Sequence, residues 1–432
     1  MLRAGRDVNG AVTDLYGRYG PVFAFGAGPL RFVWFVGPEA NRFVLEEAAE
    51  HFTLGSAYGF LRTIGGDTAL ITSDEPEHRR RRRLVQPAFY RARLAQLDVL
   101  IEARLRELFR SWVGRTVDLY REVQGCVLEL ICEVLLGGAA VRTALTSDIA
   151  RMMRFANLPF HLQLVKLPVP GSPWARFVAA RSRADHALYA ELGRRRAAVP
   201  DKNRPHEGAA GDDALSGDVP RGDVLDLLLA AQDEQGEGLS DREIRDQAVS
   251  LVSAGFDTTS AAFSWAIYEL LRQPARLGDL RAGLESSAEP PLLGYTVKET
   301  LRLYPPAPAG LRRTARALEF GGYSVPSGQL SAFSIYATHR LASVYPDPLA
   351  FKPERWETFT PPPYSYLPFG NGARYCIGAG LATRILTLGL GTLFRDFRLS
   401  PAWSEPVHEA GNTLHPRGGL LVTVRAASAR RR

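Results

Sequence analysis

Lysine is almost missing from this chain. Four residues, Lys166, Lys202, Lys298 and Lys352, are spread over 432, so the net charge of +7 rests on arginine. That bias, together with abundant alanine, points to a GC-rich bacterial genome. Cysteine is scarcer still: Cys126, Cys132 and Cys376 are too few for a four-cysteine iron–sulfur or zinc site. An odd number without an export signal also argues against a disulfide framework. No apolar run reaches the roughly 18 to 20 residues of a membrane span. The best candidates are interrupted by Glu129 and Glu133 in one case and by Asp257 in another. The opening Met1-Leu2-Arg3-Ala4-Gly5-Arg6 has no apolar core of a signal peptide. These absences lead us to expect a cytoplasmic protein with no membrane anchor. No internal repeat and no nucleic-acid module is visible, so the basic surface is expected to meet an acidic protein rather than nucleic acid.

What is present is ordinary in bulk: 46% apolar and 23% charged residues, the balance of a globular protein. The length allows two or three ordinary domains or one large enzyme domain. Short β-type runs at Val22–Phe25 and 32–36, separated by Gly26-Ala27-Gly28-Pro29, read as a hairpin. Most of 91–136 is helix-like, with Cys126 and Cys132 as core residues of its apolar end. Another helical run follows Trp174 and ends at Arg194-Arg195-Arg196. The aperiodic stretch Asp201 to Gly222 is read as a flexible loop. A capping box of Ser240 and Glu243 opens the longest helix, which Pro274 stops after about 33 residues, or roughly 50 Å. From Tyr323 onward, short strands, proline-rich loops and a last helix after Cys376 alternate. The fold class expected is mainly α with small β-sheets, in a single large domain covering 1–432.

Four stretches carry chemistry. The first is Phe369-Gly370-Asn371-Gly372-Ala373-Arg374-Tyr375-Cys376-Ile377-Gly378. Its glycines let the backbone turn tightly and approach a flat ligand, while one thiolate stands ready as a metal ligand. The second, Ala254-Gly255-Phe256-Asp257-Thr258-Thr259, lies midway along the long helix, with Ala254, Asp257 and Thr258 at i, i+3 and i+4. A carboxylate there needs a partner or a task. The choice is between a kinked helix with a paired aspartate and an acid–alcohol pair that delivers protons.

The third is Glu299 and Arg302, before Pro305-Pro306, with Phe351-Lys352-Pro353-Glu354-Arg355-Trp356 downstream. Similar pairs at Glu39/Arg42, Glu107/Arg110 and Glu191/Arg194 have no such context. A glutamate with two arginine partners can form a buried network that fixes a loop across a helix. The fourth is Asp74 to Leu84, where Arg79 to Arg81 read as a solvated basic face or a polyanion patch. On a helix starting at Pro76, His78 and Arg82 nevertheless stand at i and i+4 and can present donors to one anion.

In this order the four stretches resemble the cytochrome P450 family, along essentially the whole chain. The resemblance implies the cytochrome P450 fold and haem b as cofactor. Cys376 would be the proximal iron ligand, with Phe369 and Gly378 framing its loop. Arg374, Arg312 (or its neighbour Arg313) and the pair His78 and Arg82 would hold the propionates, and Ala254 would lie against the haem. Asp257 and Thr258 would relay protons, and Glu299, Arg302 and Arg355 would be structural. The implied activity is a monooxygenase that inserts one atom of O2 into a hydrophobic small molecule such as a terpenoid, steroid, fatty acid or polyketide.

The pocket would be lined by 58–61, 158–167, Ser253, Ala254, 309–311, Thr413 and Leu414. Neither the proline-rich entry segment usual in the family nor a fused flavin or iron–sulfur module is expected. Electrons are therefore expected from a separate acidic ferredoxin or flavodoxin, steered in part by Arg79 to Arg83, and the enzyme is expected to be a monomer. A peroxide-driven peroxygenase, a coupling or rearrangement enzyme of the same family, and a non-catalytic haem sensor are the alternatives. An intact Asp257/Thr258 pair argues against the first and the last.

Overall fold

The computed structural model describes residues 7–28, 31–137, 139–158, 160–163, 165–198, 222–403, 407–408 and 413–427. The loop expected over Asp201 to Gly222 lies outside them, apart from Gly222 itself. Helices dominate and the sheets are small. Backbone contacts divide the chain into two compact units.

The first unit comprises Met1–Phe60, Asp98–Leu128 and Ala254–Arg432. Its largest sheet begins with the expected hairpin: Val22–Phe25 pairs antiparallel with Phe32–Phe35, Val22 opposite Phe35. Phe32–Phe35 then runs parallel to Leu330–Ser334, followed by Ala309–Thr314 and the two-residue edge Phe52–Thr53. Side chains alternate across the sheet as the pleat requires. Phe23, Trp34 and Ala332 cluster with Val12 of the Val8–Tyr19 helix, whereas Val22, Phe35 and Phe333 pack with Val44 and Leu318 on the other face. A second sheet places Leu421–Ala426 between Thr116–Asp118 and Phe397–Pro401. The strand Thr116–Asp118 interrupts the mostly helix-like stretch 91–136, leaving Asp98–Ser111 before it and Leu119–Leu136 after it.

The helix Ala379–Asp396, which follows Cys376, is buried along most of its length. At Gly389 it lies so close to the long helix that a Cβ would fall 2.4 Å from the Phe263 ring. Only glycine permits this approach.

The second unit comprises Leu61–Leu97 and Glu129–Ser253. There the helices Ala139–Ala156 and Pro173–Ala198 pack together through Phe155, Trp174 and Phe177, whose rings lie 5.0–5.4 Å apart. Arg183 bonds Asp148 across them. In the expected basic cluster, Arg195 is buried and bonded to Glu191, Asp223, Asp226 and the Leu136 carbonyl, an internal anchor rather than a surface charge.

The long helix is Asp241–Arg272, and Ser240 and Glu243 cap it reciprocally as expected. It runs unbroken through Gly255. Cys132 is buried on the Leu119–Leu136 helix, and burial pushes its thiol up to about 11, so it is inert. No helix among the described residues is long and apolar enough to cross a membrane.

Candidate active site

The cysteine loop is built by backbone conformation. Gly370 and Gly372 have φ of +70° and +68°, a region that favours glycine. The Asn371 side chain accepts the Gly372 N–H, and the Cys376 N–H donates to the Phe369 carbonyl at 2.9 Å, closing the loop. Phe369 meets Tyr375 edge-on at 6.3 Å. Gly378 is the N-cap of the Ala379–Asp396 helix, and a Cβ there would stand 4.0 Å from Cys376 Sγ. The thiol of Cys376 is thereby exposed at the positive end of an 18-residue helix, where a thiolate is favoured. Arg374, two residues before it, is half-buried.

On the long helix the three candidates divide. Ala254 is exposed and Thr258 half-buried although both lie mid-helix. Asp257, 2% exposed, turns instead toward the Leu119–Leu136 helix. Its Oδ1 accepts the Tyr120 hydroxyl at 2.7 Å and the Gln124 amide at 2.8 Å, while its Oδ2 is buried without a hydrogen-bond partner. The Thr258 hydroxyl donates to the Ala254 carbonyl at 2.7 Å, which leaves its lone pairs for another donor. Tyr120 and Gln124 were not singled out from the sequence. Their only signal is an i, i+4 spacing on one helix, with a partner more than 130 residues away.

Arg312 and Arg313 sit on opposite faces of Ala309–Thr314. Arg312 is buried, its guanidinium 5.1 Å from the Phe333 ring, while Arg313 donates to the Gly328 carbonyl. In the second unit, His78 and Arg82 share a face of the Glu77–Val85 helix, as expected. His78 is buried, with Nδ1 2.9 Å from Glu75 Oε1. The arginine run around them is not the free basic face that the sequence suggests. Arg80 and Arg81 bond Glu243, Arg80 also bonds Asp233, and Arg83 bonds Glu234. Those acids lie some 150 residues downstream, out of reach of any local reading.

The Glu299 network forms as expected, with more members. Oε1 accepts Arg302 Nη2, Arg355 Nε and the Lys352 N–H; Oε2 accepts Arg302 Nε and Trp356 Nε1. His339, which no motif marks, ties this network to the segment that leads into the cysteine loop. The Leu367 N–H donates to His339 Nε2 at 2.8 Å, so Nδ1 carries the proton and donates to the Arg302 carbonyl.

Burial holds the His339 imidazole at about 3, down from the usual 6.5. Because the unfolded chain binds this proton more readily, the stabilisation is complete above pH 6.5. It is lost progressively as pH falls toward 3. Denaturant midpoints measured from pH 7 down to pH 4 should therefore fall steeply in the wild type and less in His339→Gln; equal slopes would assign the effect to another group.

A flat iron-bearing group fits these residues. One accessible sulfur sits at a helix N-terminus on a loop whose glycines clear the approach, and a small exposed residue, Ala254, lies mid-way along the long helix. Comparison with known proteins agrees. The family model for "Cytochrome P450" matches residues 1–422. The protein described as cytochrome P450 139 of Mycobacterium tuberculosis is 33% identical over 443 residues, covering 97% of this chain and 98% of that relative. Cyclooctatin synthase of Streptomyces melanosporofaciens is 33% identical over 409 residues, covering 89% of this chain and 83% of that relative. The structure of retinoic acid bound cyanobacterial CYP120A1 superposes with a TM-score of 0.80 at 23% identity, covering 96% of this chain and 93% of that one, which establishes the fold. A glycine loop presenting one cysteine and a match along nearly the whole chain lead to one conclusion: the chain belongs to the cytochrome P450 family of haem-dependent monooxygenases.

Proposed function

We propose that Cys376 is the proximal ligand of haem b and that this chain, as one catalytic domain in the cytoplasm, oxygenates a hydrophobic small molecule. The observation that carries the reading is the exposed Cys376 thiol at the head of the Ala379–Asp396 helix. The bound haem supplies the activation of O2 and the transfer of one oxygen atom to a C–H or C=C bond.

The chain's own residues do the rest. The helix N-terminus and the loop N–H groups hold the sulfur as an anion. Arg374, Arg312, His78 and Arg82 are the donors assigned to the propionates, and Ala254, Phe369 and Gly378 the packing surfaces. Asp257 exchanges a proton at Oδ2, the oxygen that no neighbour occupies. Thr258 carries that proton onward, its own hydroxyl anchored to the Ala254 carbonyl and its lone pairs able to accept. In Thr258→Ala, oxygen uptake should persist while product per electron falls and hydrogen peroxide rises; unchanged coupling would remove Thr258 from the relay.

In the expected lining, the Tyr58 hydroxyl accepts the Leu311 N–H at 2.9 Å and so ties two of the residues assigned to the pocket to each other. The similarity to a protein described as cyclooctatin synthase supports a small-molecule substrate from secondary metabolism. Screening such compounds for a change in haem spin state tests this directly, followed by substrate-dependent oxygen uptake with a surrogate reductase. An acidic ferredoxin or flavodoxin remains the proposed electron donor to a monomeric enzyme. That choice rests on the net charge of +7, because the arginine run offered for steering is largely paired internally.

A further inference from the structure

Asp257 is held by groups that no motif announces. Tyr120 and Gln124, one turn apart on Leu119–Leu136, both donate to Oδ1, and the Gln124 amide also reaches the Tyr120 oxygen at 3.2 Å. Tyr120 is itself fixed. Its ring stacks on His415 with centroids 5.0 Å apart and planes 3° from parallel. The segment carrying His415 is pinned to the long helix, where Trp265 Nε1 donates to the Leu414 carbonyl, and the Leu414 N–H donates to the Pro306 carbonyl.

A carboxyl group free to rotate about its Cβ–Cγ bond offers either oxygen to a proton acceptor. Two donors on Oδ1, one a phenol clamped by a stacked ring, remove that freedom and leave Oδ2 as the exchanging atom. We propose that Tyr120, supported by Gln124 and by the His415 stack, is the positioning residue that fixes which oxygen of Asp257 delivers protons. The inference rests on the assignment of Asp257 as the relay acid. Tyr120 itself is not a proton source, because its hydrogen is already directed at Oδ1 and its lone pair faces an amide N–H.

Tyr120→Phe removes the hydroxyl and keeps the stacked ring. In the holoenzyme, with a surrogate ferredoxin and reductase in excess, oxygen uptake should slow about ten-fold, the cost of losing one hydrogen bond to a charged group. The ratio of rates in H2O and D2O should rise with it. Asp257→Asn should move both readings further, and the double variant should be no slower than Asp257→Asn alone. If Asp257→Asn changes both readings and Tyr120→Phe changes neither, the positioning role is overturned while the acid assignment stands. If Asp257→Asn changes neither, the relay reading itself falls, and this inference with it.

A second measurement needs no turnover. Tyr120→Phe should lower the denaturant midpoint of the holoprotein in the wild-type background and much less in an Asp257→Ala background. An equal loss in both backgrounds would show that the hydroxyl serves something other than Asp257.

Discussion

Cys376→Ser is expected to abolish the long-wavelength carbonyl band that a thiolate-ligated haem gives on reduction under carbon monoxide, and to lower substrate oxidation by at least about a hundred-fold. Loss of a residue that merely supports a metal ligand already costs 10- to 100-fold, so loss of the ligand itself should exceed it. The variant should fold. The loop is closed by the Cys376 N–H bond to Phe369, by the Asn371 side chain and by glycines at positive φ, none of which involves sulfur. Serine keeps the shape but neither ionises at neutral pH nor donates electron density as sulfur does, so any haem retained is bound differently. An unfolding free energy within about 1 kcal/mol of the wild type would separate this chemical loss from misfolding. A carbonyl band unchanged in position would place the iron ligand on another residue and dismiss the assignment of this loop.

The cysteine loop was legible because its chemistry is local: the glycines, the arginine and the cysteine act within ten consecutive residues. The Glu299 network was legible only through context. Glu191 and Arg194 share its spacing and do bond each other, yet on an exposed arginine, as an ordinary helical pair. What distinguishes Glu299 is the proline stop after its helix and the Arg355 segment that crosses it.

The sequence was silent where a distant partner carries no motif of its own. Arginines in a row look like a solvated face until Asp233, Glu234 and Glu243 are brought to them. Asp257 could be read as a carboxylate in need of a partner, but nothing in Leu119–Leu136 marks Tyr120 and Gln124 as that partner. Strands such as Phe52–Thr53 and Thr116–Asp118 are too short for a period of two to register. His339 is a single histidine amid loops, and its role depends on Arg302 and Leu367 converging on it from either side.

The largest loss of stability is expected at Glu299, where the same convergence concentrates. Its carboxylate is fully buried and receives five donors: three N–H groups of Arg302 and Arg355, the Lys352 N–H and Trp356 Nε1. Glu299→Gln is nearly isosteric but removes the charge from between two guanidinium groups, and it turns one of the two oxygens into a donor facing donors. Breaking a buried pair in this way costs about 3–5 kcal/mol, against a total stability of roughly 5–15 kcal/mol. Equilibrium unfolding of the holoprotein should show that loss as a lower midpoint. By contrast, Arg276→Met, which breaks the more exposed pair with Glu354, should cost under about 1 kcal/mol.

The effect should also reach the active site. Arg302 carries the carbonyl that His339 bonds, and His339 holds Leu367 at the head of the segment running to Cys376. A Glu299→Gln protein that still folds should therefore bind haem more weakly and lose its thiolate carbonyl band sooner on warming. If the denaturant midpoint and the thermal loss of that band both matched the wild type, the network would be a spectator, and the cysteine loop would owe its position to its own bonds, the Cys376 N–H to Phe369 and the Gly372 N–H to Asn371.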